Sequence, residues 1–303
     1  MHRIRCEIDT EFRTADVLAP IARQWLFDGA EQLAGEYFGA LLDSEGLAAD
    51  GLRRAVPCGP PNALWGFFTV HSPKAGRVRK SHGLLLRKNL PRFERLLREE
   101  FVVAELAIYR LDDQGWPRTQ FLRIGVEREQ DLLDWVRFSA EAPAESLAAG
   151  EPEGNWLGLL RDTAAQLDVA YGQIGYERGL GRTEHEERVG PPLPSMTIPQ
   201  SRTFLRGYEW ATVVPKEIAA RLGGADELRR IGEFAQAALL PSGAVLLQAT
   251  ATFDGFDAAA VERTWRAVGP ALRPGLPKRS SAHEEEREPP SRIHYADLPG
   301  SRA

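Results

Sequence analysis

Apolar positions along the chain recur with two periods, and the switch between them marks the expected elements. Residues 15–42 place Leu18, Ile21, Ala22 and Trp25, then Leu33, Tyr37 and Leu41, on one helical face, with a break expected at Pro20 or Gly29. Residues 43–63 are rich in Gly, Pro and Asp and read as loop, and "LWGFFTV" at 64–70 reads as a short strand. Pro91 suits a first helical turn after Asn89, and Phe93, Leu96, Leu97 and Phe101 continue that helix. "VVAELAIYRL" and "TQFLRIGVE" flank the turn chemistry of "DDQGWP" and read as a hairpin.

Further on, "REQDLLDWVRFSA" reads as a helix with Leu132, Trp135 and Val136 inward, and "EAPAESLAAGEPEGN" as an acidic linker. The clearest amphipathic helix is 156–167, with Trp156, Leu159, Leu160, Thr163, Ala164 and Leu167 on one face. "YGQIGYE" at 171–177 reads as a strand, and residues 178–200 as a long, charged surface loop. "FLRGYEWATVVP" at 204–215 reads as a core strand leading into a helix at Pro215 that Gly223 and Gly224 stop. A second hairpin turns at Ser242 and Gly243, and Asp257 caps a helix carrying Val261, Trp265 and Val268.

These elements predict an α+β fold of antiparallel sheet with packed helices. The order helix, hairpin, helix occurs at about 90–139 and again at about 225–268, which fits two related halves or simply a common α+β arrangement. The expected organisation is an N-terminal helical and irregular region over 1–88, an α+β domain over 89–276, and a charged tail over 277–303. The tail, with "KRSSAHEEEREPPS", holds too few apolar residues to bury a core.

Composition narrows the function classes. Apolar residues are 43% and charged residues 27% of the chain, the balance of an ordinary globular protein. A net charge of −5 argues against a protein that binds nucleic acid over its whole surface. The first residues carry no apolar leader segment and no stretch is long enough to span a bilayer, so a cytoplasmic location is expected and no membrane partner. Cys6 and Cys58 stand alone, outside any CxxC pair.

The chemistry-bearing motifs are mostly missing. The sequence has no GxGxxG, no GxxxxGK[ST], no HExxH and no GxSxG, so no cofactor and no metal is expected and no catalytic residue is assigned. "EHEE" at 184–187 sets one His among carboxylates, the pattern of a solvated loop more than of a metal site. Lys74, Arg77, Arg79, Lys80, Arg87, Lys88, Arg92, Arg95 and Arg98 form one basic block. It reads as a solvated face or, near Trp65, Phe67 and Phe68, as a nucleic-acid contact. In "RGYEWAT", Glu209 needs a cation or donors if it is buried. Arg206 and Glu209 read as a salt bridge, a polar anchor in a binding surface, or the centre of an unrecognised enzyme site.

"NWLGLLRDTAAQLDVAYGQIGYE", "FLRGYEWATVVPKEIAARLGG", the hairpin "LPSGAVLLQAT" and "LRPGLP" together resemble a bacterial family grouped with type VI secretion immunity proteins. The resemblance runs over about 100–278, and Gly207, Tyr208, Trp210, Leu222, Gly223 and Gly224 match its motif. It implies a non-catalytic α+β protein that binds and neutralises a protein toxin. The contact residues expected on that reading are the acidic Glu141, Glu145, Glu184, Glu186 and Glu187, with Trp116, Arg206 and Glu209.

Overall fold

The structure is a computed structural model that describes residues 2–12, 15–49, 51–74, 76–129, 132–146, 151–179, 181–190, 193–275, 289–291 and 293. The strands are β1 (Arg3–Glu11), β2 (Leu64–Lys74), β3 (Arg77–Leu84), β4 (Val103–Leu111), β5 (Pro117–Glu129), β6 (Leu132–Pro143), β7 (Val169–Tyr176), β8 (Ala211–Val214), β9 (Gln236–Leu239) and β10 (Val245–Gln248). The helices are α1 (Ala15–Ala34), α2 (Glu36–Leu42), α3 (Gly51–Arg54), α4 (Leu90–Arg98), α5 (Glu151–Ala164), α6 (Glu184–Val189), α7 (Pro194–Thr197), α8 (Lys216–Arg221), α9 (Gly224–Arg230) and α10 (Ala258–Val268). The protein is therefore α+β, and its strands pair antiparallel throughout the registers that follow. It divides into two compact units, Glu11–Pro143 and Met1–Thr10 with Ala144–Ala303.

In the first unit the strand order is β3-β2-β4-β5-β6. Helix α1 packs on β5 and α4. Trp25 is buried there and its indole N–H donates to the carbonyls of Gly125 and Ser139 at 3.0 and 3.3 Å. Phe93 of α4 stacks on Phe68 of β2 at 4.6 Å and meets Phe27 of α1 edge-on at 5.3 Å, so three elements share one aromatic contact. A cluster of Cys58, Trp65, Leu84, Leu86 and Leu111 packs where β2 begins and β3 and β4 end.

Of the segment expected as a helix at 128–140, residues 128–129 end β5 and residues 132–140 lie in β6, whose Phe138 and Ala140 stand opposite Val126 and Ile124 of β5. Val136, Phe138 and Ala140 are all buried, a period of two that the helical spacing of Leu132, Trp135 and Val136 concealed. The order over 90–139 is thus helix, hairpin, strand, and the second of the two expected halves is the one that keeps helix, hairpin and helix. The linker expected over 141–155 is shortened at both ends, since β6 runs to Pro143 and α5 starts at Glu151.

In the second unit the order is β1-β7-β8-β10-β9. Asp257 caps α10 by accepting from the Ala260 amide at 2.9 Å, and Gly223 ends the turn after α8 with φ 91°, a left-handed conformation that favours glycine. β7 is buried almost throughout and lies between β1 and β8. Its glycines answer to close approach: a Cβ on Gly175 would stand 2.5 Å from the Glu209 carboxyl carbon, and one on Gly172 would stand 3.1 Å from Val213. Of "FLRGYEWATVVP", only Ala211–Val214 pairs as the strand β8, while Leu205 to Trp210 approach it as buried irregular chain. Residues 178–200, expected as a surface loop, hold α6 and α7 and bury Glu184, Glu186 and Thr197. The expected charged tail lies outside the described residues except for 289–291 and 293.

Candidate functional site

The second unit contains a closed network of charged side chains, built outward from β1. In "RIRCEIDTE" the residues Ile4, Cys6 and Ile8 alternate with Arg5, Glu7 and Asp9, and both sets are buried. The register sets Glu7 opposite Gln173 and Asp9 opposite Tyr171. The polar face of β1 is therefore carried inside the unit, where each charge requires a partner.

Arg206 supplies it. Its side chain is fully buried, and all five guanidinium N–H donors are taken. Nε donates to Glu186 Oε1 at 2.7 Å and Nη2 to Glu186 Oε2 at 2.9 Å, a two-pronged pair. Nη1 donates to Glu7 Oε1 at 2.7 Å and to Asp9, and Nη2 also reaches the Gly181 carbonyl at 3.0 Å. The guanidinium lies 5.2 Å from the centre of the Tyr171 ring. Burial alone would lower the Arg206 pKa, but Glu186, Asp9 and Glu7 outweigh it and hold the group well above its ordinary value. Burial pushes the Tyr171 hydroxyl well up, so it stays protonated and donates to Gln173 Oε1 at 2.7 Å.

Helix α6 is held by the same groups. Thr183 is its N-cap, and a capping box joins Thr183 and Glu186 in both directions. Thr183 Oγ1 also donates to the Arg206 carbonyl at 2.9 Å, and Gly207 gives it room, because a Cβ there would come within 2.8 Å of Thr183. Arg5 extends the network, donating to Glu7 Oε2 at 2.7 Å and to Glu177 at 3.2 Å. A saturated arginine inside the unit holds charges in place and has no donor left for a substrate.

The residues singled out in the sequence fall into two groups. Glu184, Glu186, Arg206 and Glu209 are buried in this unit, the first three in ion pairs among themselves and with Arg178, Glu7 and Asp9. Glu187 is half-buried and pairs with Arg182 at 3.2 Å, and Glu145 is exposed. In the first unit Glu141 is buried on β6 opposite Arg123, and Trp116 is half-buried at the β4–β5 turn, its amide donating to Asp112. The structure thus brings Arg206 to Glu186, and their partners Glu7, Asp9 and Tyr171, like the Arg178 that pairs with Glu184, were missed. The signal for the β1 pair was present as the alternation in "RIRCEID".

The basic block also resolves. Arg77, Val78, Arg79 and Lys80 are all exposed on β3, which is an edge strand of its sheet, and Lys74 stands opposite Arg77. Among the described residues no carboxylate pairs with Lys74, Arg77, Arg79 or Lys80, whereas Arg87 pairs with Asp43. Cys6 and Cys58 are buried and form no disulfide, and no group of His, Cys, Asp and Glu among the described residues has the arrangement of a metal site. No helix among them is long and apolar enough to cross a membrane.

No protein-family profile matches the chain. No curated protein matches it either. Among solved structures it is similar to the Pseudomonas aeruginosa T6SS protein PA0821, with a TM-score of 0.55 and 16% identity over 90% of this chain and 77% of that one. The likeness is one of fold.

Proposed function

We propose that this protein is a non-catalytic binding protein of a type VI secretion system, of the immunity type, which neutralises a protein toxin by occupying it. The observation that carries the reading is the likeness of fold to a T6SS protein across nine-tenths of the chain. The motif resemblance over about 100–278 points the same way. So does the saturation of Arg206, which makes the most concentrated charge cluster a framework in place of a reaction centre.

On this reading Glu184, Glu186, Arg206 and Glu209 are framework within the second unit and Glu141 within the first. Glu145 and Glu187 of the second unit and Trp116 of the first are the members of the expected set that a partner reaches, each at its own unit's surface. Acidic groups at that surface steer a basic partner. The test is a tagged pull-down from the native host at moderate salt, followed by co-expression of the captured protein with this chain. One stoichiometric protein partner whose toxicity this chain relieves is the expected result. No partner, or a partner whose toxicity is unaffected, overturns the reading.

One observation favours a second reading. The exposed cations of the β2–β3 hairpin, which pair with no carboxylate among the described residues, suit an anionic backbone, so nucleic acid that leaves the pulled-down protein as salt is raised would point to nucleic-acid association.

A further inference from the structure

Beside the Arg206 network lies a second buried arginine with a different set of partners. Arg178 follows β7, is more than nine-tenths buried, and lies 6.0 Å from the Tyr176 ring centre. It donates through Nη2 to Glu184 Oε2 at 2.6 Å. Its remaining contacts are to the C-terminal segment. Nη1 donates to the Pro289 carbonyl at 3.0 Å and Nη2 to the Pro290 carbonyl at 2.9 Å. Ser291 Oγ donates to the other oxygen of Glu184 at 2.6 Å. Arg178 Nε, also buried, meets no acceptor among the described residues.

The chemistry of the segment matches what the pair offers. Proline has no amide N–H and favours the extended polyproline conformation, so a Pro-Pro step presents carbonyls with no backbone donor of its own to satisfy. A guanidinium fork supplies two donors in one plane, and a carboxylate accepts a hydroxyl. Pro290 and Ser291 are themselves exposed, so the segment lies at the surface while the ion pair beneath it is buried. Contacts of this kind hold an extended peptide through its carbonyls and one hydroxyl.

We propose that Arg178 and Glu184 form a peptide-recognition notch for an extended Pro-Pro-Ser or Pro-Pro-Thr segment, and that the chain's own Pro289–Ser291 fills it as a releasable plug. The site goes beyond toxin binding and does not depend on it. A tethered ligand acts at an effective concentration of about millimolar, so an external peptide displaces it only in that range.

The test uses the full chain and limited trypsin digestion, with the cut after Arg292 as readout and those after Lys278 and Arg279 as internal reference. Docking of Ser291 makes the Arg292 site slow, because cleavage follows the fraction of time the segment is open. Pro289→Gly with Pro290→Gly, which leaves the folded body untouched, is expected to speed that cut by about tenfold relative to the reference sites. Acetyl-Glu-Pro-Pro-Ser-amide, which trypsin does not cleave, is expected at about millimolar excess to speed it in the unaltered chain, and a scrambled peptide is not. Equal rates in the chain and its double-glycine variant overturn the plug. A faster variant with no effect of the peptide overturns the notch as a ligand site, as does equal action of the scrambled peptide. Toxin relief is measured separately, so loss of this inference leaves the proposed function standing.

Discussion

Two groups of cationic side chains in this protein differ in how they use their charge. Arg206 is enclosed, and its donors are spent on Glu7, Asp9, Glu186 and a carbonyl. On the β2–β3 hairpin, Lys74, Arg77, Arg79 and Lys80 have no carboxylate partner among the described residues, and β3 stands at a sheet edge with Arg77 to Lys80 open to solvent. Local charge density does not separate the cases. The acidic, Gly- and Pro-rich stretch around Glu186 reads as a surface loop yet buries the carboxylates of Glu184 and Glu186. What decides is whether a distant strand brings opposite charge to the same place, as the polar face of β1 does for Arg206 and as β2 does not for β3.

The sharpest way to break the contrast is Arg206→Met. It leaves Glu7, Asp9 and Glu186 buried against an apolar side chain, and breaking a buried pair from one side costs about 3–5 kcal/mol. Urea unfolding is expected to show a loss of that size or no cooperative transition at all. Arg206→Lys is not expected to restore stability, because an ammonium cannot reproduce the two-pronged bond to Glu186 together with those to Glu7 and Asp9. A variant that unfolds at the unaltered midpoint would show that the network is incidental to the fold.

Much of the architecture was legible where local chemistry decides it. The β4–β5 hairpin, the second hairpin, the Asp257 cap and the helix end at Gly223 follow from turn and cap residues. The misreadings lie where distant contacts override local pattern. β6 carries a helix-like spacing but is claimed by pairing with β5. Arg206 and Glu209 stood out as polar residues in an apolar run, yet one of the three carboxylates that hold Arg206, beside those of Glu186 and Asp9, belongs to Glu7, separated from it by 199 positions. Nothing local to "RGYEWAT" names that partner. The alternation in β1 hints at a polar face, but only the approach of Arg206 to Glu7 and Asp9 shows that the face is covered.

An intermediate effect is expected at His185 of α6. Its ring is buried, and Nε2 donates a hydrogen bond to the Arg273 carbonyl at 3.1 Å. Burial lowers its pKa below 6.5 despite that bond and the nearby Glu186. The folded state therefore binds the proton less readily than the unfolded chain. Stability is fully present above pH 6.5 and falls as the pH drops through the window between 6.5 and the lower folded value, by at most about 1.4 kcal/mol per pH unit. His185→Gln is expected to remove that part of the slope. Urea midpoints for both chains at pH 7.5 and 5.5 test it, and parallel losses in the two would remove His185 from the account.

The smallest effect on stability is expected from reversing the hairpin charges, Lys74, Arg77, Arg79 and Lys80 to Glu. Exposed substitutions away from ion pairs usually change stability by about 0.5 kcal/mol or less each, so the variant should unfold near the unaltered midpoint. Its behaviour toward anions should nevertheless change completely. The unaltered chain, although acidic overall, is expected to be retained on a heparin column at low salt and released as salt rises, while the variant flows through. Retention of both chains would place the anion contact elsewhere and leave the edge cations as protection against strand pairing, a common use of charge on an exposed edge. Loss of retention with unchanged stability would establish the contrast with Arg206 from the other side: the same side-chain chemistry, turned outward, contributes almost nothing to the fold and nearly all of the affinity for anions.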